Sequence, residues 1–143
     1  MTRPQYDALS PREKDALVAE HVMGWRVRKS KYGHWVVSVP GEDSSREDGY
    51  GLDQFDGMTG RNIERQWWDE IDDVPAYTSD ISAAWKVVDK MLIAGADARM
   101  MSMLDGGWRT AFMTTQELHE AAADSAPESI CAAALIARGV LTP

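Results

Sequence analysis

Arg61 and Arg65 stand just ahead of two adjacent tryptophans, Trp67 and Trp68, in and around the stretch "ERQWWDEIDD". Arginines four apart share one face of a helical turn. Guanidinium groups clamp phosphates, and indole faces stack on bases. These residue types together suit a nucleotide-like ligand. Trp108-Arg109 offers a second pair, on a strand, and Arg26 and Arg28 share the less apolar face of a first hairpin. The competing reading is structural. Trp25, Trp35, Trp85 and Trp108 are expected in the core, and Trp67 and Trp68 can staple a loop to the domain. Adjacent residues diverge by about 100° in a helical turn and face opposite ways in a strand. At least one of Trp67 and Trp68 is therefore expected to do more than anchor. The candidate ligand-binding residues are Arg61, Arg65, Trp67, Trp68, Trp108 and Arg109.

Other chemistry lacks its residues. His21, His34 and His119 fall singly on different elements, with no His-x-Glu or Glu-x-x-His pair. Asp69 and Asp73 could share a helical face and bind a cation. Asp53-Gln54-Phe55-Asp56-Gly57 echoes a calcium loop but lacks its 12-residue pattern ending in a bidentate glutamate. There is no Walker A loop, nucleophile elbow or dinucleotide fingerprint. Cys131 lies in an alanine-rich helix and reads as a small buried hydrophobe. No catalytic residue, metal or cofactor is expected, and the chain is not expected to be an enzyme.

The chain has 143 residues, 44% of them hydrophobic and 27% charged, which suits one soluble domain spanning 1–143. No apolar run reaches the roughly 18 residues of a membrane span. The first residues are polar, so no signal peptide is expected. A single cysteine excludes an internal disulfide, and a cytoplasmic location is expected. The net charge of −8 lies entirely in residues 42–73, which hold eleven acids and three arginines. Such a chain is repelled by a nucleic-acid backbone, so no direct nucleic-acid binding is expected. The acidic segment is either a solvated loop or a surface for a basic partner, including a mimic of DNA.

Ser10-Pro11-Arg12-Glu13 is a capping box with proline at the first helical position. It predicts a helix to about Val22, with Leu17, Val18, His21 and Val22 as the apolar stripe and Gly24 at its end. "WRVRKSKYGHWVVSVP" predicts a hairpin. Residues 41–77 form a long acidic excursion, too aromatic for full disorder, with a helical turn expected near 60–70. In "YTSDISAAWKVVDKMLIAG", Ile81, Ala84, Trp85, Val88 and Leu92 predict a helix capped by Thr78 or Ser79. "RMMSMLDGGWRTAFMT" predicts a second hairpin turning at Asp105-Gly106-Gly107, apolar on both parities and so covered on both faces. "TTQELHEAAAD" is ambiguous: Thr114 and Glu117 can form a capping box, which admits a short helix. "SAPESICAAALIARG" predicts a last helix with Ile130, Ala133, Ala134 and Ala137 as a small-residue stripe. The two hairpin-plus-helix units can join one sheet. The expected class is α+β, an antiparallel sheet from two β-hairpins packed between helices (an α/β/α sandwich), in the order α-ββ-loop-α-ββ-α.

The segments "LSPREKDALVAEHVMGW", "YTSDISAAWKVVDKM" and "SAPESICAAALIARG" resemble, in order, the phage ABA-sandwich domain family of small phage and prophage proteins, known especially from Bacillus. The resemblance implies a sheet between two helical layers and a phage or prophage origin. It carries over no catalytic residue, and 41–73 lies outside it. Three functions follow as expectations. The first is a non-enzymatic anti-defence accessory protein that sequesters a small nucleotide-derived immune signal, with Trp67 or Trp68 stacking and Arg61, Arg65 and Arg109 clamping phosphate. The second is a module that binds a host protein, as a HicB-like antitoxin or an acidic DNA mimic does. The third is a minor structural phage protein. A homo-oligomer is expected in each case.

Overall fold

The computed structural model describes residues 1–29, 35–38 and 74–143, with backbone alone for 26–29 and 35–38. The expected helical turn near 60–70, the acidic run 42–73 and Arg61, Arg65, Trp67 and Trp68 lie outside the described residues. The elements are α1 (Arg3–Asp7), α2 (Pro11–His21), β1 (Arg26–Lys29), β2 (Trp35–Ser38), α3 (Ile81–Ile93), β3 (Asp97–Ser102), β4 (Trp108–Met113), β5 (Leu118–Ala123) and α4 (Ala126–Ala137). The fold is α+β. Its contacts divide into two compact units, Gly24–Val74 and the rest of the chain.

In the smaller unit β1 and β2 pair antiparallel, with Val27 opposite Val37 and Lys29 opposite Trp35. The first hairpin is therefore where the alternation places it. In the larger unit β3, β4 and β5 form an antiparallel meander. The described strands thus make a two-stranded and a three-stranded sheet, where the two hairpin units predict a single one.

Local sequence explains the element ends. Ser10 Oγ accepts from Glu13 N, and the Glu13 carboxylate accepts from Ser10 N, so two otherwise unpaired helix donors are satisfied. That pairing holds the Glu13 carboxyl below its usual range. Thr2 and Gln5 repeat the device at α1. Asp80, two residues past Thr78, caps α3 by accepting from Ser82 N. Gly95, at φ +95°, ends α3, and Gly106, at φ +90°, turns the β3–β4 hairpin; both conformations disfavour any residue with a Cβ.

The core is centred on α4, which is buried on every side from Ile130 to Ile136. An all-apolar helix of this kind needs cover all round. It lies on β4 and β5 and against α2 and α3. The alanines at 132–134 keep its girth small enough for close approach. Thr110 on β4 meets Ser129 on α4 at 2.8 Å. Ser129 Oγ donates to Ala126 O at 2.9 Å, so the Thr110 hydroxyl is the donor between the two. Phe112, fully buried, fills the space beside this contact.

Several expected faces are turned. On α2, Asp15 and Ala19 join Val18 and Val22 in the interior, while His21 is exposed. On α3 the buried stripe is Ala83, Ala84, Val87, Val88 and Met91. Ile81, Trp85 and Leu92, expected inside, are 42%, 48% and 46% exposed. The β3–β4 hairpin is not covered on both faces: Thr110 and Phe112 are buried, whereas Met101 and Met113 are exposed. The short helix that "TTQELHEAAAD" admits does not form, and Leu118–Ala123 is strand β5 instead. Thr114 N donates to Glu117 O at 3.0 Å, closing a turn that leads into β5.

Candidate functional site

Asp15 is the most buried charge among the described residues, at 1% exposure. Its Oδ1 accepts from Thr78 N and Thr78 Oγ1, both at 2.8 Å, and its Oδ2 lies 3.3 Å from Arg12 Nη1. A carboxylate with these donors is a structural tie between α2 and the residues leading into α3. Nearby, Cys131 Sγ donates to Tyr77 O at 3.2 Å. Burial, with the neighbouring Asp15 and Glu128 charges, pushes the Cys131 thiol well above its usual range. Burial likewise pushes the Tyr77 phenol up to about 12. A protonated, enclosed thiol is a poor nucleophile. Cys131 is therefore expected to react with a thiol reagent only as fast as the folded protein opens, and at once in denaturant. Rapid labelling of the native protein would show that α4 is not packed as described.

Tyr6 has a similar setting. Its ring lies between Arg3, 5.8 Å from the centroid, and Lys14, at 4.9 Å. Lys14 also pairs with Glu128 at 2.8 Å, and Arg3 pairs with Asp7 at 2.8 Å and donates to Ala122 O. These cations border an open groove with Asp124 and Ser125. Its lining sets Arg3 and Lys14 against Asp7, Asp124 and Glu128, so acids outnumber bases and an anionic ligand has little to gain. His119 Nε2 lies 3.1 Å from Thr114 Oγ1 and 3.7 Å from Glu117, a lone histidine beside the β4–β5 turn. Among the described residues no group of three His, Cys, Asp or Glu side chains is placed to hold a metal ion. Nor is any helix among them long and apolar enough to cross a membrane.

Trp108 and Arg109 are neighbours on β4 and so lie on opposite faces of the sheet. Trp108 is half-buried on the face that packs against α4. Arg109 lies on the other face, 3.6 Å from Glu120 on β5. Trp108 and Arg109, offered by the sequence as a pair on a strand, are thus placed on opposite faces of β4.

Two surfaces remain that no contact among the described residues explains. One is a ridge on α3. At about 100° per residue, Ile81, Leu92 and Trp85 fall within about 40° of one another, beside the edge of the buried stripe. The apolar arc of α3 is therefore wider than the arc that the larger unit covers. The other is the outer face of the meander, formed by Asp97, Arg99 and Met101 on β3, Arg109, Ala111 and Met113 on β4, and Leu118, Glu120 and Ala122 on β5. Neither surface was read from the sequence. The ridge was legible in the width of the apolar arc, and the outer face needed the strand register.

A buried helix laid on one side of an antiparallel meander defines a small α+β scaffold. The chain matches the phage ABA sandwich domain over residues 16–135 and belongs to that family. Its fold is similar to the crystal structure of a phage protein from Bacillus cereus ATCC 14579, at 16% identity and a TM-score of 0.58, over 95% of this chain and 94% of that one. A comparison with curated proteins finds no match.

Proposed function

We propose that this phage-family protein is a non-enzymatic accessory protein that works by binding, and that its target is a host protein. The α3 ridge carries this reading. Three large apolar side chains, one of them a tryptophan, stand half-exposed in a row on the solvent side of a well-capped helix. Isolated exposed apolar residues are ordinary, but an aligned aromatic and aliphatic row is the usual anchor of a protein contact. The net charge of −8 in the sequence of residues 42–73 also suits a basic partner, as in a DNA mimic or an antitoxin.

The test compares the wild-type protein with Trp85→Ser as bait for host proteins. Any captured protein is then purified and titrated against both. Trp85 is exposed, so the variant should keep its thermal stability while its affinity falls by roughly 30-fold or more, as at interface hot spots. Equal affinity of the two for the purified host protein would end the assignment of the ridge.

A second reading rests on the spacing of Arg61, Arg65, Trp67 and Trp68: sequestration of a small nucleotide-derived immune signal, by base stacking and phosphate clamping. Such a ligand would raise the melting temperature by mass action. The rise would disappear in Trp67→Ala and persist in Trp85→Ser, which separates the two readings. A minor structural role in the phage particle would show neither effect.

A further inference from the structure

We infer that the outer face of the β3–β4–β5 sheet is a homodimer interface, in which a second copy of this chain packs face to face about a two-fold axis running along β4. The inference stands independently of the α3 ridge. It rests on the register of the three strands. Arg99, Ala111 and Glu120 lie in one row across the sheet, as do Met101, Arg109 and Ala122, and as do Asp97, Met113 and Leu118.

The first row is antisymmetric about β4: positive on β3, small in the centre, negative on β5. Rotation about an axis along β4 exchanges the two outer strands. Arg99 of each copy then faces Glu120 of the other, twice per dimer. The same rotation sets the long Met101 side chain over the small Ala122 of the other copy, also twice. Ala111 meets its own counterpart and lets the sheets approach to the roughly 10 Å of packed sheets. A rotation axis across the strands would instead bring Arg99 against Arg99.

The charges of the face also favour a like copy. The protein carries −8 overall, yet this face holds two arginines and two acids and is neutral. Arg109 comes near its own counterpart at the axis, but each is already held by its own Glu120 at 3.6 Å. Met101, Met113 and Leu118 are 58%, 44% and 53% exposed, so the face has apolar area to lose on association.

The experiment is a charge exchange on the full-length chain, followed by sedimentation equilibrium. The wild type should dimerise. Arg99→Glu and Glu120→Arg should each raise the dimer dissociation constant by roughly 100-fold or more, because each sets like charges opposite one another at two places. An equimolar mixture of the two variants should dimerise again. In the mixed pair the two introduced side chains oppose one another in one contact, with their signs exchanged, and the native Arg99 and Glu120 meet in the other. Melting curves check that each variant folds. Ala111→Cys treated with a short bismaleimide should give crosslinked dimer from an otherwise native chain, and provides a second readout should either charge variant fail to fold. A wild type that stays monomeric overturns the inference. So does a dimer indifferent to both single variants, a mixture that stays monomeric, or an Ala111→Cys protein that does not crosslink.

Discussion

Phe112→Ala is expected to lower the stability of the larger unit by about 3–5 kcal/mol, the usual cost of deleting a fully buried phenylalanine. Phe112 is completely enclosed between the meander and α4. Its register neighbours are Ala98 and His119, neither large and apolar, so little can move in to fill the gap. On the other side Ser129, which meets Thr110 on β4, puts Ala132 and Ala133 on the sheet side of α4 at i+3 and i+4, and both are too short to reach into the cavity. A loss of this size is a large part of the roughly 5–15 kcal/mol that holds a typical domain together. Urea unfolding of the two proteins measures it directly. A loss below about 1.5 kcal/mol would mean that the helix settles onto the sheet and that this interface is loosely packed.

Asp15→Ala should cost nearly as much, about 2–4 kcal/mol, for a different reason. The substitution removes few apolar contacts. It strips Thr78 of the acceptor for both its backbone N–H and its hydroxyl, in a residue only 4% exposed. Both donors then stay buried without the carboxylate that satisfied them. Asp15→Asn keeps an amide oxygen that can accept both bonds but removes the charge beside Arg12, so its loss should be about half as large. The order wild type, Asn, Ala in unfolding free energy is the expected outcome. Equal values for Asn and Ala would assign the whole effect to charge. An unaffected Ala variant would show that water replaces the carboxylate and that the Asp15–Thr78 contact does not tie α2 to the α3 entry.

The two results bear on the proposed interface and ridge through the scaffold. Phe112 holds the meander against α4, and so sets which strand parity is turned outward. Asp15 fixes the start of α3, and so sets the direction in which Trp85 points. Neither side chain lies on an outer surface, so both variants test the scaffold without touching what it would bind.

The local code of this chain is legible from its residues. The Ser10–Glu13 box, the turn at Gly106 and the glycine ends of the helices are decided within four or five residues of one another, so a single sequence holds all their information. The burial of Cys131 also follows from the alanines around it, and the segments resembling the phage ABA sandwich family lead to the right family.

What folding decided was the strand identity of β5 and the orientation of the helices. "ELHEAA" has no strand-like alternation of its own, and it becomes β5 because β4 offers a free edge whose hydrogen bonds must be paired. Trp85 reads as core because it lies on the apolar arc of α3. The helix presents more apolar surface than its neighbours cover, and which part stays outside depends on where α4 sits. Nothing beside Asp15 in the sequence marks it as buried, and it becomes the acceptor of Thr78 only when residues 63 positions apart meet. Helix caps and tight turns are short-range properties of hydrogen bonding and backbone conformation, whereas β5 owes its strand identity to β4. The choice of the face turned inward is made by contacts distant in sequence, and that choice sets which residues this protein offers to a partner.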